Sequence, residues 1–445
     1  MVTEMNRRTF IKKAGVAGAG LGVTTMAGRR AFGKACPNDK VVMAVVGIHG
    51  RGRNHIRAFS GNKDSEVKYV VDVDSRFFDK ALEEAKDKQE KVPETLKDFR
   101  KALDDKDIDA ISIATPDHWH APMTIEALKA GKHVYVEKPC GHNPAEGEML
   151  VDAQKKYSHL LVQMGNQRRS KEACYKMLNE INNGVIGRVY AAKAWYVNNR
   201  GPIGLAKQIP VPDSLDWDLW QGPAPRRPYN NLVHPYKWHW LWHWGTGEAL
   251  NNGTHEVDVA RWMLGVDFPT KVVSGGGRLH YANQDDWEAF DTQWMTLEFP
   301  GDKVITWEGR SCNKVNKYGH GRGVMFYGTD GAIEYLGGNY IVYDDQGEVL
   351  SKEGRESKTD STNIFDPGLG SGHQDNFVQA VRGEAKLTSP IDEGHKSVLL
   401  CQLGNIAQRT GSTLVCDPKN GHIFGNPAAQ KLWSRSYEPG WEPKI

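Results

Sequence analysis

The sequence predicts two joined folds: an N-terminal α/β domain with a doubly wound parallel sheet, then an α+β domain with an open, mostly antiparallel sheet. Three observations predict this. Short continuous apolar runs alternate with helical stretches as far as about residue 166. A glycine-bearing loop joins the first apolar run to the first helix. Beyond residue 270, strand-like runs follow one another between Gly and Asp residues, without helices between them. A chain of 445 residues has room for two or three domains.

The apolar runs are Val41 to Val46, Val67 to Val73, Ala110 to Ala114 and His133 to Val136, followed by Leu160 to Met164. Continuous rather than alternating apolarity suits strands buried on both faces. Phe77 to Lys88, Ala121 to Ala130 and Ala145 to Tyr157 carry helical spacing between them, and Gly131 suits a helix stop. Strands and helices alternating at these lengths make parallel β-α-β units. The texture changes after Asn166. Ser170 to Asn183 reads as a helix, Val189 to Val197 as a strand, and residues 200–246 as a long loop rich in Pro, Trp and His. Helical periodicity returns at Gly247 to Leu264, and strands are expected from Thr270 to about Val349. Helices are expected near His373 to Arg382 and Lys396 to Arg409.

Composition excludes some functions. A net charge of +2 gives no footprint for nucleic acid. The six cysteines, Cys36, Cys140, Cys174, Cys312, Cys401 and Cys416, form no C-x-x-C pair, so no zinc ribbon or thioredoxin-like motif is present. Residues Asn6-Arg7-Arg8-Thr9-Phe10 precede a mildly apolar Gly/Ala stretch from Ala14 to Ala27. That stretch is too weakly apolar for a stable membrane span. It resembles a twin-arginine export signal, which implies a periplasmic or secreted protein and sets residues 1–35 apart from the fold.

The loop Gly47-Ile48-His49-Gly50-Arg51-Gly52 lies where a dinucleotide fingerprint belongs, after the first strand and at a helix start. A pyrophosphate needs a tight turn, close backbone approach and a helix N-terminus. Gly47 and Gly52 match the outer glycines of G-x-G-x-x-G, whereas His49 stands at the middle position and Gly50 follows it. The second strand ends at Asp72 and Asp74. A carboxylate there accepts from ribose hydroxyls and repels a 2′-phosphate. Asp72 is favoured, for NAD, while nearby Arg76 leaves NADP open. The third strand leads to Thr115-Pro116-Asp117-His118-Trp119-His120. Thr115 and Pro116 are placed beside the cofactor, together with His118 and His120, which also suit capping or packing.

These segments, with Gly131 to Pro139 and Gly253 to Gly265, resemble the Gfo/Idh/MocA family, the relatives of glucose-fructose oxidoreductase and inositol dehydrogenase. The run Ala-Gly-Lys-His-Val-Tyr-Val-Glu-Lys-Pro at 130–139 carries most of the resemblance. It implies a Rossmann domain over 36–166 and a substrate and oligomer domain over 167–445, forming a dimer or tetramer through the second sheet. It also implies that Glu137 and Lys138 border the cofactor, that Lys138 is catalytic, and that Pro139 follows a cis bond. The family's helical Asp and His, four residues apart, fall on Asn251 and His255. His255 is then a catalytic imidazole near neutral pH, and Asn251, which cannot ionise, orients substrate.

Six of the fourteen tryptophans lie between 217 and 244. Residues 237–244 alternate strictly, so an extended chain would place the indoles on one side and His239 and His243 on the other. Indoles stack on sugar C–H faces. Trp240, Trp242, Trp244, His239 and His243 are therefore candidate contacts to a carbohydrate or polyol. A metal among His234, His239, His243 and His255 has weaker support, lacking a carboxylate or Cys motif. The readings are an NAD(P)-dependent CH–OH oxidoreductase, a redox-neutral glycosidase resembling glycoside hydrolase family 109, or a non-catalytic binding protein. The intact Glu-Lys-Pro turn favours the first.

Overall fold

The computed structural model describes residues 40–315, 318–354 and 372–445. The export-signal reading, Arg7 and Arg8, and Cys36 fall outside the described residues.

Six strands form the first sheet: β1 (Val41–Val46), β2 (Ser65–Val71), β3 (Glu94–Leu96), β4 (Ala110–Ile113), β5 (His133–Val136) and β6 (Val162–Met164). Their order is β3-β2-β1-β4-β5-β6, every pair parallel. Every residue of β4, β5 and β6 is buried, as expected for strands covered by helices on both faces. The covering helices are α1 (Arg51–Gly61), α2 (Phe78–Ala85), α3 (Phe99–Asp104), α4 (Asp117–Lys129) and α5 (Pro144–Lys156). Strand order reverses between β1 and β4, and a crevice opens there at the strands' carboxyl ends. β3 and α3 were not expected from sequence.

After α6 (Glu172–Asn182) comes β7 (Ala191–Val197), and a short α7 (Trp217–Gln221) interrupts the long loop. A π-turn at Ala249–Gly253 runs into α8 (Thr254–Leu264). The second sheet adds β8 (Lys271–Gly277), β9 (Thr292–Phe299), β10 (Lys303–Arg310), β11 (Arg322–Tyr327), β12 (Gly331–Tyr335), β13 (Tyr340–Asp344), β14 (Val349–Glu353), β15 (Leu414–Cys416) and β16 (Ile423–Phe424). It has ten strands in the order β14-β13-β12-β11-β7-β10-β9-β8-β15-β16. All its pairs are antiparallel except β10 with β7.

The chain then returns to the first sheet. On α9 (Gly372–Val381), Phe377 packs against Phe59 and Tyr135. The 20-residue α10 (Ile391–Thr410) is buried along most of its length and ties the two sheets. Gln402 donates to the Gly141 carbonyl (3.0 Å) and Asn405 to that of Thr246 (2.9 Å). A final helical turn, α11 (Pro427–Gln430), follows. The five described cysteines are buried free thiols. Among the described residues, no helix is long and apolar enough to cross a membrane.

A buried ion pair fixes α8 against the end of β6. Arg169 donates to Asp258 through Nε (3.0 Å) and Nη2 (2.8 Å), and Ser397 of α10 donates to the same carboxylate (2.6 Å). Removing one partner of such a pair strands a buried charge. Arg169→Met is expected to lower unfolding stability by about 3–5 kcal/mol, measured as the urea midpoint and slope.

Candidate active site

One cavity of about 610 Å³ runs from the β1–α1 loop to α8. At one end, Gly47 has φ +81°, and a Cβ there would lie 2.6 Å from the Ala114 carbonyl carbon and the Thr115 nitrogen. A Cβ on Gly52 would overlap the Gly47 carbonyl. These two glycines let the loop and helix close onto the sheet. Gly50 differs, since a Cβ on it would meet nothing within 4 Å. It opens the space before α1, whose N-terminus has no side-chain cap and no acidic residue in its first turn. Free N–H groups and the helix dipole there suit an anion. His49 does not block this space, because its ring leans on Phe77, 4.3 Å between centroids.

Asp72 lines the cavity and accepts the backbone N–H groups of Ile48 (2.9 Å) and Asp74 (3.0 Å). Burial pushes its pKa up to about 6. Asp74 instead lies under the 200–246 loop. It accepts from His234 (2.9 Å) and Arg76, and the adjoining backbone bonds Ser214 and Asp216. Arg76, the residue that left NADP open, is thus engaged by Asp74. Thr115 and Pro116 line the cavity, and the Thr115 hydroxyl lacks a partner among the described residues. The tight glycines, open Gly50, uncapped helix and Asp72 acceptor fit a dinucleotide.

Glu137 and Lys138 follow β5. The Glu137 carboxylate accepts from Arg51 Nε (2.9 Å), His55 Nε2 (3.0 Å) and Gln167 Nε2 (3.0 Å). Burial opposes its charge, but Arg51, His55 and Lys138 hold its pKa well below the usual range. Arg51 therefore spends its guanidinium on Glu137, leaving its backbone N–H for a ligand. The Lys138–Pro139 bond is cis. Lys138 Nζ donates to the backbone carbonyl of Asn251 (2.6 Å) and to its side-chain oxygen (3.3 Å). Burial lowers the Lys138 pKa against the pull of Glu137 and Asp117.

Asn251 and His255 line the same wall. His255 has no hydrogen-bond partner among the described residues. Burial, then the charges of Arg322, Lys138 and Arg168, keep it well below its ordinary pKa, so the imidazole is neutral. His239 also lines the cavity. Its Nδ1 donates to the Tyr236 carbonyl (2.6 Å), and burial brings its pKa to about 3, so Nε2 is left as an acceptor.

Several expected contacts lie elsewhere. Residues 237–240 form a 3₁₀ turn, not an extended ribbon, so the indoles do not share one side. Trp240 is buried and stacks on Trp287, and Trp244 packs between Trp217 and Trp220. Trp242 lies against Phe290 and Arg409. His243 faces the Pro225 carbonyl (2.7 Å), and His118 that of Trp220 (3.1 Å). None of these five lines the cavity, nor does Gly52, whose place is behind Gly47. His120 does, while bracing the turn through the carbonyls of Pro139 (2.6 Å) and Thr115 (2.8 Å). Of the histidines weighed for a metal, His234, His239 and His243 go to separate partners, and His255 has none among the described residues.

Sequence reasoning missed Asp117, Arg168, Arg200, Trp238 and Arg322, all on the cavity wall. The Gln-Arg-Arg run straight after β6 was the available signal for Arg168. Asp117 is buried and accepts from Thr246 (2.5 Å), and burial raises its pKa.

Residues 41–165 match the NAD-binding Rossmann fold of the Gfo/Idh/MocA oxidoreductase family, and 215–415 match its C-terminal alpha/beta domain. The chain belongs to this family. Its N-terminal domain is an NAD-binding Rossmann fold. A glycosyl hydrolase family 109 protein of Shewanella baltica is 29% identical over 214 residues, 44% of this chain and 46% of that protein. The alpha-N-acetylgalactosaminidase of Shewanella oneidensis is 27% identical over the same shares. The chain spans about half the length of the curated relatives it matches. The WlbA dehydrogenase from Chromobacterium violaceum, solved with NADH and UDP-GlcNAcA, is 21% identical with a TM-score of 0.62, covering 86% of this chain and 97% of that one. Levoglucosan dehydrogenase, solved with NADH and levoglucosan, is 17% identical with a TM-score of 0.64, covering 85% and 99%. At these identities the two structures establish the fold.

Gly47→Ala is expected to weaken NAD binding at least about tenfold, because the side chain must adopt a strained φ against backbone; equilibrium titration checks it. A carboxylate such as that of Asp72 accepts hydroxyl hydrogen bonds best when ionised. Below pH 6 it gains a proton, so NAD affinity is expected to fall by up to about tenfold per pH unit. Asp72→Asn should flatten that dependence.

Proposed function

We propose that this protein is an NAD-dependent oxidoreductase acting on a CH–OH group of a sugar, glycoside or polyol. The observation that carries the reading is that Lys138, Asn251 and His255 converge on the cavity that also contains the β1–α1 loop. When bound, NAD supplies the hydride acceptor. Lys138 binds the reacting oxygen and stabilises its negative charge as the proton leaves. His255, neutral and unpartnered, accepts that proton. Asn251 fixes the Lys138 ammonium by two oxygens. The dehydrogenase names of the structural neighbours, with their sugar-derived ligands, support a carbohydrate substrate.

A second reading, a redox-neutral glycosidase, is supported by the relatives named glycosyl hydrolase family 109. His239 Nε2 supplies the additional base such a reaction needs. We further propose export through the basic N-terminus, and a homo-oligomer through the second sheet, whose outer face exposes Val273, Trp294 and Val415.

Denatured protein is expected to release NAD, identified by absorbance and mass. With free sugars, stoichiometric NADH formation supports the oxidoreductase. Turnover of aryl glycosides without net NADH would replace it by the glycosidase. Lys138→Met is expected to cut turnover by about 10²–10⁴-fold while NAD content is unchanged. Full activity in that variant would remove Lys138 from the mechanism.

A further inference from the structure

Near the end of β2 the cavity is lined by a side chain from the C-terminal part of the chain. His234, on the long loop, lines it together with His49, Asp72 and Val73. Its side chain is 5% exposed. Two rings flank it, Phe77 at 5.8 Å and Trp220 at 6.0 Å between centroids. Nε2 lies 2.9 Å from Asp74 Oδ2. Nδ1 is buried and has no hydrogen-bond partner among the described residues.

The neighbours decide the tautomer. Burial opposes the charge of Asp74, but hydrogen bonds from Arg76 and His234 hold its pKa well below the usual carboxylate range. An ionised carboxylate only accepts, so Nε2 carries the proton and donates to it. Burial lowers the His234 pKa against the pull of Asp74, so the ring is neutral. Nδ1 is then an acceptor with an unused lone pair. A buried acceptor without a donor is costly, and the cavity that this ring lines can admit a donor.

Asp72 stands at the same corner. Its Oδ1 accepts the Asp74 N–H (3.0 Å), so Asp74 links the two side chains. The loop is also fixed there by its backbone. Leu215 bridges to Asp74, Ser75 donates to the Ser214 carbonyl (3.1 Å), and Asp216 donates to that of Val73 (2.9 Å). His234 is thus held at the end of β2 by more than its own hydrogen bond. In a dinucleotide-binding fold this corner meets the adenosine ribose. Here it presents two acceptors, and that ribose in NAD carries two hydroxyls. In NADP one hydroxyl is replaced by a phosphate, which sets oxygens against acceptors.

We propose that His234 is a cofactor-binding residue whose Nδ1 accepts a hydroxyl of the adenosine ribose, alongside Asp72. The long loop then supplies part of the NAD site, and the pair of acceptors selects NAD over NADP. The inference rests on NAD binding and is independent of the reaction that the cofactor serves.

The test is equilibrium competition of NAD, NADP and nicotinamide hypoxanthine dinucleotide against isotope-labelled NAD on the folded protein. His234→Gln keeps a donor for Asp74 and removes the Nδ1 acceptor. It is expected to weaken NAD about three- to tenfold, the scale of one hydrogen bond. The hypoxanthine dinucleotide, with the same ribose, is expected to lose the same factor, and NADP distinctly less. The proposal is overturned if His234→Gln binds NAD as tightly as the native protein, or if NAD and NADP weaken alike, which would leave His234 only shaping the loop. It is also overturned if the hypoxanthine dinucleotide is spared, which would assign Nδ1 to the adenine amine. A second measurement needs no variant to fold. In protein labelled with ¹⁵N-histidine, one imidazole nitrogen of the unprotonated type is expected to shift upfield when NAD binds and to stay in place with NADP. No such shift with NAD would overturn the proposal as well.

Discussion

The buried carboxylate of Glu137 is the constraint on which the site depends. It draws Arg51 and His55 from α1, Gln167 from the turn after β6, and the Lys138 backbone N–H (3.3 Å) onto one group. His55 passes the connection on to Ser112 of β4 (2.8 Å). Gly165 is part of the same fit, since a Cβ there would come within 2.8 Å of the carboxylate. A buried charge with so many donors is stable only if all of them are in place. The uncapped N-terminus of α1 and the backbone of Lys138 are therefore positioned by one carboxylate. Glu137 borders the cofactor space chiefly as this anchor.

The parallel sheet was legible because its strands are buried on both faces. Runs such as His133–Val136 then have no polar alternation to confuse them. β3 escaped notice for the opposite reason: Glu94–Leu96 is a short edge strand with little burial. Lys138, Asn251 and His255 were readable from motifs whose spacing is local. Arg322 was not, because a lone arginine on an antiparallel strand carries no local mark, and only the sheet brings it to Glu256. The tryptophan loop misled for a physical reason. Period-two alternation predicts sidedness only in an extended chain, and here the indoles build the interior that supports the loop.

That interior matters because the loop closes the crevice. Leu215 pairs with Asp74, and His234 reaches the same carboxylate, so the loop is latched to the end of β2, where Asp72 lines the cavity. From the same loop, Tyr236, Trp238 and His239 line the cavity. Trp240 and Trp244 hold this segment rigid from behind. One segment thus both lines the cavity and holds to the end of β2.

Asn251, where the family resemblance calls for an aspartate, fits the electrostatics around it. A carboxylate at that position would stand beside the Lys138 ammonium and raise its pKa. The amide oxygen and backbone carbonyl of Asn251 still orient Nζ, but without a net charge. Burial outweighs the pull of Glu137 and Asp117, with a smaller push from Arg51 and Arg322, and the Lys138 pKa falls. A lysine so placed gives up its proton more readily. Burial, then Arg322, Lys138 and Arg168, keep His255 neutral, with a lone pair available. On the proposed reading, the missing carboxylate leaves two groups able to exchange a proton with the substrate oxygen. Positive charge around them favours the alkoxide over the hydroxyl, in the direction of hydride departure.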